Sequence, residues 1–359
     1  MIDAVQAAES LVALTRRRAG LRVLRTDGDV VYAGRGLSLM RSDDGGASFV
    51  RIADGANGVL QRVAARAPVA SRVLRAGFHG ATPLEGRGLV AIVRGAVLHL
   101  PAGASRFDVA HRVTRGTRPL NVGLAPSGRL YFGEYFGNPE RGEVHVYGSD
   151  DGQSFDVAYT FPAGRIRHVH GVWPDPYRGG VWVLTGDDDS ESGLFFTDDD
   201  FRTLEPIVAG SQRARAVAVI PTSEGVIVPT DTPREPNHVQ WLDVESARLE
   251  PVAPVPGSVF SAARTENLFV VSTTLEPSVV NRDPRVALLV SENGFDWRTI
   301  ARYSRDLALL NDRRGVLTYP TLELPAGRGG ARVLASGRAI KGQHGALLAW
   351  DERALLGPT

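Results

Sequence analysis

Short apolar runs, each closed by turn-forming residues, recur along the whole chain. Examples are VVYAG, LVAIVRG, LYFGEY, VWVLTGD, GVIVPT, LFVVST and RVLASG, which are rich in Val, Leu, Phe and Tyr. The 40 glycines and 22 prolines of the 359 residues punctuate these runs. Amphipathic helices keep an apolar period of about 3.6 residues, whereas strands are short and bounded by turns, so the pattern predicts an all-β fold.

One turn motif recurs four times between the predicted strands, as SDDGGASF (42–49), GSDDGQSF (148–155), TDDDFRTL (197–204) and VSENGFDW (290–297). The third position of each is an acid, namely Asp44, Asp150, Asp199 and Glu292. We expect this acid to accept hydrogen bonds from the amides of its own turn, while the glycine usually found at the fifth position supplies a positive φ. The motif therefore predicts hairpin turns.

The spacing of these turns predicts the architecture. The four acids are separated by multiples of about 49 residues, and a period of about 40 to 50 residues with four short strands per unit is typical of β-propeller blades. The 359 residues then form a single β-propeller domain (1–359) of seven four-stranded blades, with six as the alternative. We expect the N-terminal segment (1–20) to supply the strand that closes the ring against the C-terminal strand.

The four turns resemble the Asp-box, or BNR, repeat of the sialidase-like propeller superfamily, which is written S-x-D-x-G-x-T-W. Phe201 stands where glycine is expected, and Val290 and Asp296 replace small hydroxyl residues. The resemblance implies that the box acids are structural, because in that superfamily the box lies away from the active face. Catalytic sialidases carry an Arg-Ile-Pro type motif, whereas GRIRHVH has Arg167 after Arg-Ile.

A second resemblance concerns GEY (Gly133, Glu134, Tyr135) and HxHG (His168, His170, Gly171). Together these motifs are similar to those of bacterial proteins labelled "glycosyl hydrolase" or "BNR-repeat". The resemblance implies a carbohydrate-active protein and no particular reaction.

A blade frame of four strands, A to D, sorts the loops between two faces of the ring. The D-to-A and B-to-C connections share one face, which is where a propeller binds its ligand. The residues predicted to bind substrate on this face are His168, Tyr135, Arg165, Arg213, Arg215, Asp231, His238, Arg282, Lys341 and Gln343. Arg313 and Arg314 are also predicted to lie there.

The predicted catalytic residues are His170, Glu134, Asp187 and His344. Glu134 and Asp187 supply the two carboxyl groups that glycosidic hydrolysis requires. In the alternative lyase reaction, His170 removes a proton from a uronate whose carboxylate the arginines neutralise. The competing interpretation of each residue is structural, as a loop cap or a polar strand end.

A divalent metal is the candidate cofactor. His168 and His170 are two residues apart, so their side chains share one face of a strand. With His238 and His344 they would form a metal site, joined by Glu134 and suited to Zn²⁺ or Mn²⁺. Asp188, Asp189, Glu191 and Ser192 are interpreted as a solvated loop or a weak Ca²⁺ loop.

Charge and composition limit the classes of partner that we expect the chain to bind. The 41 Lys and Arg residues balance 40 Asp and Glu residues, so bulk charge gives no reason to expect nucleic acid or an anionic membrane. A local group of cationic residues, Arg165, Arg213, Arg215, Arg282 and Lys341, predicts a small anionic ligand such as an acidic sugar. The absence of cysteine excludes thiolate metal sites and cysteine nucleophiles.

The N-terminal sequence MIDAVQAAESLVALTRRRAG has the opposite charge polarity to a secretory signal, and no stretch reaches the roughly 20 apolar residues of a membrane span. These features predict a cytoplasmic protein. The sequence as a whole predicts a carbohydrate-active enzyme, a glycoside hydrolase or polysaccharide lyase, acting on an acidic or uronate-containing glycan. The alternative is a non-catalytic glycan- or protein-binding propeller, and the oligomeric state is left open.

Overall fold

The computed structural model describes residues 14–55, 77–306 and 319–356. These residues form 29 β-strands and contain no α-helix, which confirms the all-β prediction. Three single-turn 3₁₀ helices complete the elements, at Asp189–Glu191, Gln212–Ala214 and Glu352–Ala354. In the described part of the chain, none of the helices has the length and apolar character needed to cross a membrane.

Four separate antiparallel sheets each contain four consecutive strands. The first has β6 (Phe78–Leu84), β7 (Gly88–Val93), β8 (Ala96–Pro101) and β9 (Asp108–Arg112). The second has β10 (Gly123–Leu124), β11 (Leu130–Gly133), β12 (Val144–Ser149) and β13 (Asp156–Phe161). The third has β14 (His168–Asp175), β15 (Gly180–Gly186), β16 (Gly193–Thr197) and β17 (Glu205–Ala209). The fourth has β18 (Ile220–Pro221), β19 (Val226–Pro229), β20 (His238–Asp243) and β21 (Arg248–Pro254).

A fifth four-stranded sheet joins the two ends of the described chain. Its strands, from the inside outwards, are β26 (Thr321–Glu323), β28 (Arg332–Arg338), β29 (Ala346–Asp351) and β1 (Arg16–Ala19). The outer strand β1 pairs antiparallel with β29, from Arg16 opposite Ala349 to Ala19 opposite Ala346. An N-terminal strand therefore lies against a C-terminal strand.

The last sheet has nine strands, in the order β25-β24-β23-β22-β27-β2-β3-β4-β5. Their bounds are β2 (Arg22–Gly28), β3 (Val30–Arg35), β4 (Ser38–Ser42), β5 (Val50–Asp54), β22 (Val259–Arg264), β23 (Phe269–Thr273), β24 (Arg285–Ser291), β25 (Arg298–Ser304) and β27 (Ala326–Gly329). Strand β27 pairs in parallel with both β2 and β22 and so joins two four-stranded meanders. Five separate four-stranded blades are present, and the predicted count of seven is not supported by this arrangement.

The core lies between neighbouring sheets. All seven residues of β15 are buried, because this strand is covered on both faces. The facing strand β12 of the preceding sheet contributes Val144 and Val146 to the same apolar cluster as Val181 and Val183. The outer strands β13 and β17 are mostly exposed or half-buried, so strands closer to the ring axis are the more apolar ones.

Two of the four repeated turns form as predicted. Asp44 Oδ1 accepts from the Ser42 hydroxyl at 2.6 Å and from the Ser48 amide at 2.8 Å. Asp199 makes the same contacts with Thr197 at 2.9 Å and with the Thr203 amide at 3.0 Å. Phe201, which stands in the glycine position, adopts a positive φ of 70°.

The prediction for the other two turns is wrong by one residue. The acceptor in the second turn is Asp151, 2.8 Å from the Gln153 amide, and in the fourth it is Asn293, 2.8 Å from the Phe295 amide. Asp150 and Glu292 instead face arginine side chains. In these two turns the serine and the glycine are three residues apart rather than four, so the carboxylate that can reach the amides shifts by one position.

The inner strands of four four-stranded meanders share one irregularity. The register shifts by one residue in β2, β6, β14 and β22, which leaves Leu24, His79, His170 and Phe260 as the extra residues. All four line a central cavity of about 180 Å³. The bulges therefore direct one side chain from each of these meanders towards the ring axis.

Candidate functional site

His168 and His170 lie at the start of β14, and Asp187 follows the last residue of β15. His168 pairs with Gly186 across the two strands, and His170 is the extra residue of the bulge. The two Nε2 atoms are 3.2 Å apart. Asp187 Oδ1 lies 3.4 Å from Nε2 of His168 and 3.3 Å from Nε2 of His170. We call these three residues the histidine–aspartate triangle.

Backbone carbonyl groups orient both imidazoles. Nδ1 of His168 lies 2.9 Å from the oxygen of Phe136, and Nδ1 of His170 lies 3.0 Å from the oxygen of Ala216. A carbonyl oxygen can only accept, so each Nδ1 carries a proton and donates it. In neutral imidazoles the two Nε2 atoms are therefore acceptors that face each other and a carboxylate.

Two glycines make room for this arrangement. A Cβ at Gly186 would overlap the Cε1 atom of His170, and a Cβ at Gly133 would overlap the side chain of Val169. The glycines of VLTGD and GEY are thus explained by close packing against HVHG.

The carboxylate of Asp187 also meets two guanidinium groups, Arg167 at 3.1 Å on Oδ2 and Arg215 at 3.2 Å on Oδ1. Burial raises the pKa of Asp187, but the contacts with His168 and His170 outweigh it and hold this pKa well below its usual range. Burial likewise lowers the pKa of His170, against the opposing effect of Asp187.

A second group of acids begins on the other side of Arg215, whose Nε lies 3.6 Å from Asp231 Oδ2. Asp231 is 3% exposed, and burial together with the nearby Glu276 raises its pKa well above the ordinary value. Burial also raises the pKa of Glu276, although the Ser258 hydroxyl donates to this side chain. We call Asp231 and Glu276 the carboxyl pair.

Glu276 was missed by the sequence analysis, although the chain carries a signal for it. Acids follow the second strand of four consecutive meanders: Glu134 after β11, Asp187 after β15, Asp231 after β19 and Glu276 after β23. The first three were predicted as site residues, and the same frame applied to LFVVSTTLEP identifies the fourth.

Tyr135 covers one side of the triangle. Its ring centroid is 4.4 Å from that of His168 and 6.2 Å from that of His170. Burial, with smaller contributions from Asp187 and Asp231, raises the pKa of Tyr135 to about 12. The phenol is therefore a hydrogen-bond donor near both acids.

Three other predicted catalytic or metal-binding residues lie apart from the triangle. Glu134 forms an ion pair with Arg115 and accepts from the His145 amide at 2.8 Å, so its carboxylate is engaged away from Asp187. His344 accepts from the amide of Ala339 at 3.1 Å within a hairpin, and His238 is half-buried at the start of β20. Among the described residues, the triangle is the one group that brings three ligand atoms within 4.8 Å of one another.

The predicted cationic residues are also dispersed. Arg165, Arg213, Arg282 and Lys341 are exposed, and Gln343 accepts from Arg17 at 2.9 Å. Arg215 is the member of the predicted set that contacts both Asp187 and Asp231. Arg313 and Arg314 lie outside the described residues.

The acidic loop after Asp187 is neutralised by arginines. Asp188 lies 3.0 Å from Arg141 and 2.6 Å from Arg234, and Glu191 forms an ion pair with Arg141. Two of the carboxylates interpreted as a weak Ca²⁺ loop, those of Asp188 and Glu191, are therefore paired with arginines.

The central cavity carries charged residues that the sequence analysis did not identify. Arg22 lies 2.7 Å from Glu323, and Arg338 lies 3.1 Å from the same carboxylate. Arg118 and His170 also line the cavity, so it extends to the triangle. The inner strands thus bring guanidinium groups from distant parts of the sequence to the ring axis.

Separate four-stranded antiparallel sheets, whose inner strands surround one cavity, define a β-propeller. Solved structures agree with this class. The chain is similar to YCF48 bound to D1 peptide, with a TM-score of 0.56 and 12% identity over 94% of this chain and 96% of that chain. It is also similar to a chain of a mitotic checkpoint complex, with a TM-score of 0.56 and 11% identity over 96% of each chain.

A third similar structure is a GH74 enzyme from Niastella koreensis, with a TM-score of 0.50 and 11% identity over 92% of this chain and 43% of that chain. No protein-family model matches the sequence, and the search of curated proteins finds no match. The solved structures include enzymes and non-enzymes, so they establish the propeller fold and no specific function.

Proposed function

We propose that the chain is a carbohydrate-active enzyme that acts on an acidic sugar or a uronate-containing glycan at the face bearing the triangle and the carboxyl pair. The main observation behind this proposal is the position of Arg215, which lies 3.2 Å from Asp187 and 3.6 Å from Asp231. Arg215 can bind a substrate carboxylate, and it contacts two acids, Asp187 and Asp231, that lie in different environments.

The carboxyl pair is the proposed proton donor. Burial raises the pKa of both Asp231 and Glu276, with a further contribution from Glu276 at Asp231, and a carboxyl group whose pKa is raised is suited to act as a general acid. In hydrolysis, this proton passes to the glycosidic oxygen as the bond to the anomeric carbon breaks. Water then adds to that carbon and gives up a proton, which restores the carboxyl group. In elimination, a base removes the proton next to the uronate carboxylate, and the donated proton goes to the departing oxygen.

The preference for an anionic substrate rests on the arginines. Arg215 borders both acids, and Arg22, Arg118 and Arg338 line the cavity that reaches His170. Guanidinium groups bind carboxylates through paired hydrogen bonds, so a uronate suits this environment better than a neutral sugar does.

A non-catalytic binding propeller is the second candidate. YCF48, a propeller of similar fold, was solved with a bound peptide, which supports a binding role for a propeller of this architecture. In this case the same arginines would hold an anionic glycan or peptide.

A further proposal concerns the number of blades. We infer that the two meanders of the nine-stranded sheet act as separate blades, which would give seven units in a single domain. The Ser42 and Thr197 turns, whose contacts match, support the resemblance to Asp-box repeats.

The test is a comparison of uronate-containing and neutral polysaccharides with wild-type protein, D231N, R215Q and D188N. New reducing ends report hydrolysis, and the ultraviolet absorbance of an unsaturated product reports elimination. We expect D231N to lower kcat/KM by about 10²- to 10⁴-fold, the usual contribution of a general acid, whereas D188N retains activity.

Two outcomes decide between the candidates. Binding of a uronate without turnover of any polymer would favour the binding propeller. Turnover that D231N leaves unchanged would remove the carboxyl pair from the mechanism.

A further inference from the structure

We propose that His168, His170 and Asp187 form a binding site for a divalent cation of the zinc type, with a fourth coordination position left for water or substrate. This site goes beyond the proposed reaction and stands on its own contacts. It replaces the wider ligand set expected from the sequence, because His238 and His344 are not part of the triangle.

The first argument is the arrangement of hydrogen-bond acceptors. Both Nδ1 atoms donate to carbonyl oxygens, so both Nε2 atoms present lone pairs. The Nε2 lone pairs and Asp187 Oδ1 converge within 3.2 to 3.4 Å of one another. Three acceptors at this separation repel one another unless a proton or a metal cation lies between them.

The second argument is the size of the triangle. Zinc bonds to nitrogen and oxygen are about 2.0 to 2.2 Å, which places tetrahedral ligand atoms about 3.3 Å apart. Octahedral ligands at similar bond lengths would lie about 3.0 Å apart. The observed edges of 3.2, 3.3 and 3.4 Å fit the tetrahedral case better.

The third argument is the support around the ligands. Histidines that bind metals usually donate their other ring N–H to a carbonyl or carboxylate, as His168 and His170 do to Phe136 and Ala216. Those two carbonyl groups belong to the preceding and following blades. Arg167 holds Oδ2 of Asp187 at 3.1 Å, and Oδ1 faces the imidazoles and Arg215.

The charge balance sets the expected strength. Arg167 and Arg215 place positive charge beside Asp187 and oppose a cation, so we expect weaker binding than in a structural zinc site. The histidines are 5% and 2% exposed, whereas the side chain of Asp187 is 23% exposed. His170 borders the central cavity, so a bound ion would be adjacent to the proposed substrate space.

The test uses the full chain, freed of metal with a chelator and then dialysed. Isothermal titration with Zn²⁺ gives affinity and stoichiometry, and the visible absorption of the Co²⁺ complex reports coordination geometry. The ligand variants are H168Q, H170Q and D187N, and the matched control is H238Q, which removes a histidine outside the triangle. Circular dichroism establishes whether each variant is folded.

We expect one Zn²⁺ per chain, a tetrahedral Co²⁺ spectrum and unchanged binding in H238Q. Each ligand variant should lose more than about 100-fold in affinity, which is more than is lost when a group that only hydrogen-bonds a metal ligand is replaced. Zinc should raise Tm in the wild type and leave Tm unchanged in the ligand variants.

The proposal is overturned if the wild-type protein binds neither Zn²⁺ nor Co²⁺, or if folded H168Q and H170Q bind them as the wild type does. An octahedral Co²⁺ spectrum would also contradict it. Metal binding by D231N separates this site from the proposed reaction: that variant should lose turnover and keep the metal.

Discussion

Asp44 and Asp187 show two ways in which this chain uses an aspartate. Asp44, in the first repeated turn, takes its hydrogen bonds from Ser42 and Ser48, which lie two and four residues away. Asp187 faces Arg167, His168, His170 and Arg215, from which it is 17 to 28 residues distant. The first carboxylate is exposed and satisfied by its own turn, whereas the second is half-buried and held by two blades. Local partners can be read from the sequence, and distant partners require the fold.

The largest predicted effect tests the distant partners. D187N leaves the guanidinium groups of Arg167 and Arg215 without their shared counter-charge, so we expect a loss of about 3 kcal/mol in the free energy of unfolding. Urea denaturation in the presence of a chelator measures this loss without a contribution from metal.

The adjacent Asp188 provides the matched control. Its ion pairs with Arg141 and Arg234 are more exposed, so D188N should cost less than about 1 kcal/mol. Equal losses in the two variants would mean that burial across two blades adds nothing to an aspartate ion pair here.

The next prediction tests whether the contacts of Asp187 and His170 require a residue without a side chain at Gly186. In G186A the new methyl group meets the His170 ring, and overpacking of this kind typically costs about 1 to 3 kcal/mol. A thermal or urea unfolding series gives the free energy, and the imidazole NMR signals report whether His170 moves. G137A is the control, because a Cβ at Gly137 has no neighbour within 4 Å, and we expect a change within about 0.5 kcal/mol.

The carboxyl pair sharpens the comparison through pH. Burial and Glu276 raise the pKa of Asp231 above that of the unfolded chain, so folding favours its protonated form. The stability of the wild type is then free of this penalty below about pH 4 and declines as the pH rises towards the folded pKa. D231N should lack that part of the decline.

Urea unfolding between about pH 4 and pH 8 measures the difference between D231N and the wild type. The exposed E235Q serves as the control and should follow the wild-type curve. Parallel curves for wild type and D231N would mean that Asp231 ionises in the folded protein as it does in the unfolded chain.

The smallest predicted effect concerns Asp44, whose hydrogen-bond partners lie in its own turn. Hydrogen bonds from Ser42 and Ser48 hold the pKa of Asp44 well below its usual range, so its contribution to stability is present near neutral pH and is lost on acidification. D44N should destabilise the protein less than D187N does. The difference in stability between D44N and the wild type should disappear at acid pH. Thermal unfolding scans measure both effects. D43N, which alters an exposed ion pair with Arg41, should not change Tm measurably.

The sequence was informative wherever the deciding contacts are short in range. The runs RHVHGVW and VWVLTGD predicted β14 and β15, and the recurring turns predicted a propeller, because strand and turn chemistry depends on neighbouring residues. The one-residue error at Asp150 and Glu292 has a local cause as well, since two turns are a residue tighter.

The site required information that the sequence does not carry. Both Arg165 and Arg167 precede HVHG, but Arg167 reaches Asp187 while Arg165 is exposed. The acids after β11 and β15 occupy equivalent positions, yet Glu134 is held by Arg115 from a different loop. The choice between such alternatives depends on which side chains converge, and a blade frame fixes strand order without fixing side-chain direction.

The parallel contacts of β27 bear on how the ring is made. During synthesis, β2 emerges roughly 300 residues before β27, its neighbour in the nine-stranded sheet, and β1 waits still longer for β29. Until then the growing chain presents unpaired strand edges, which are sites of unwanted association. Strands β1 and β2 therefore leave the ribosome long before the partners that cover their open edges.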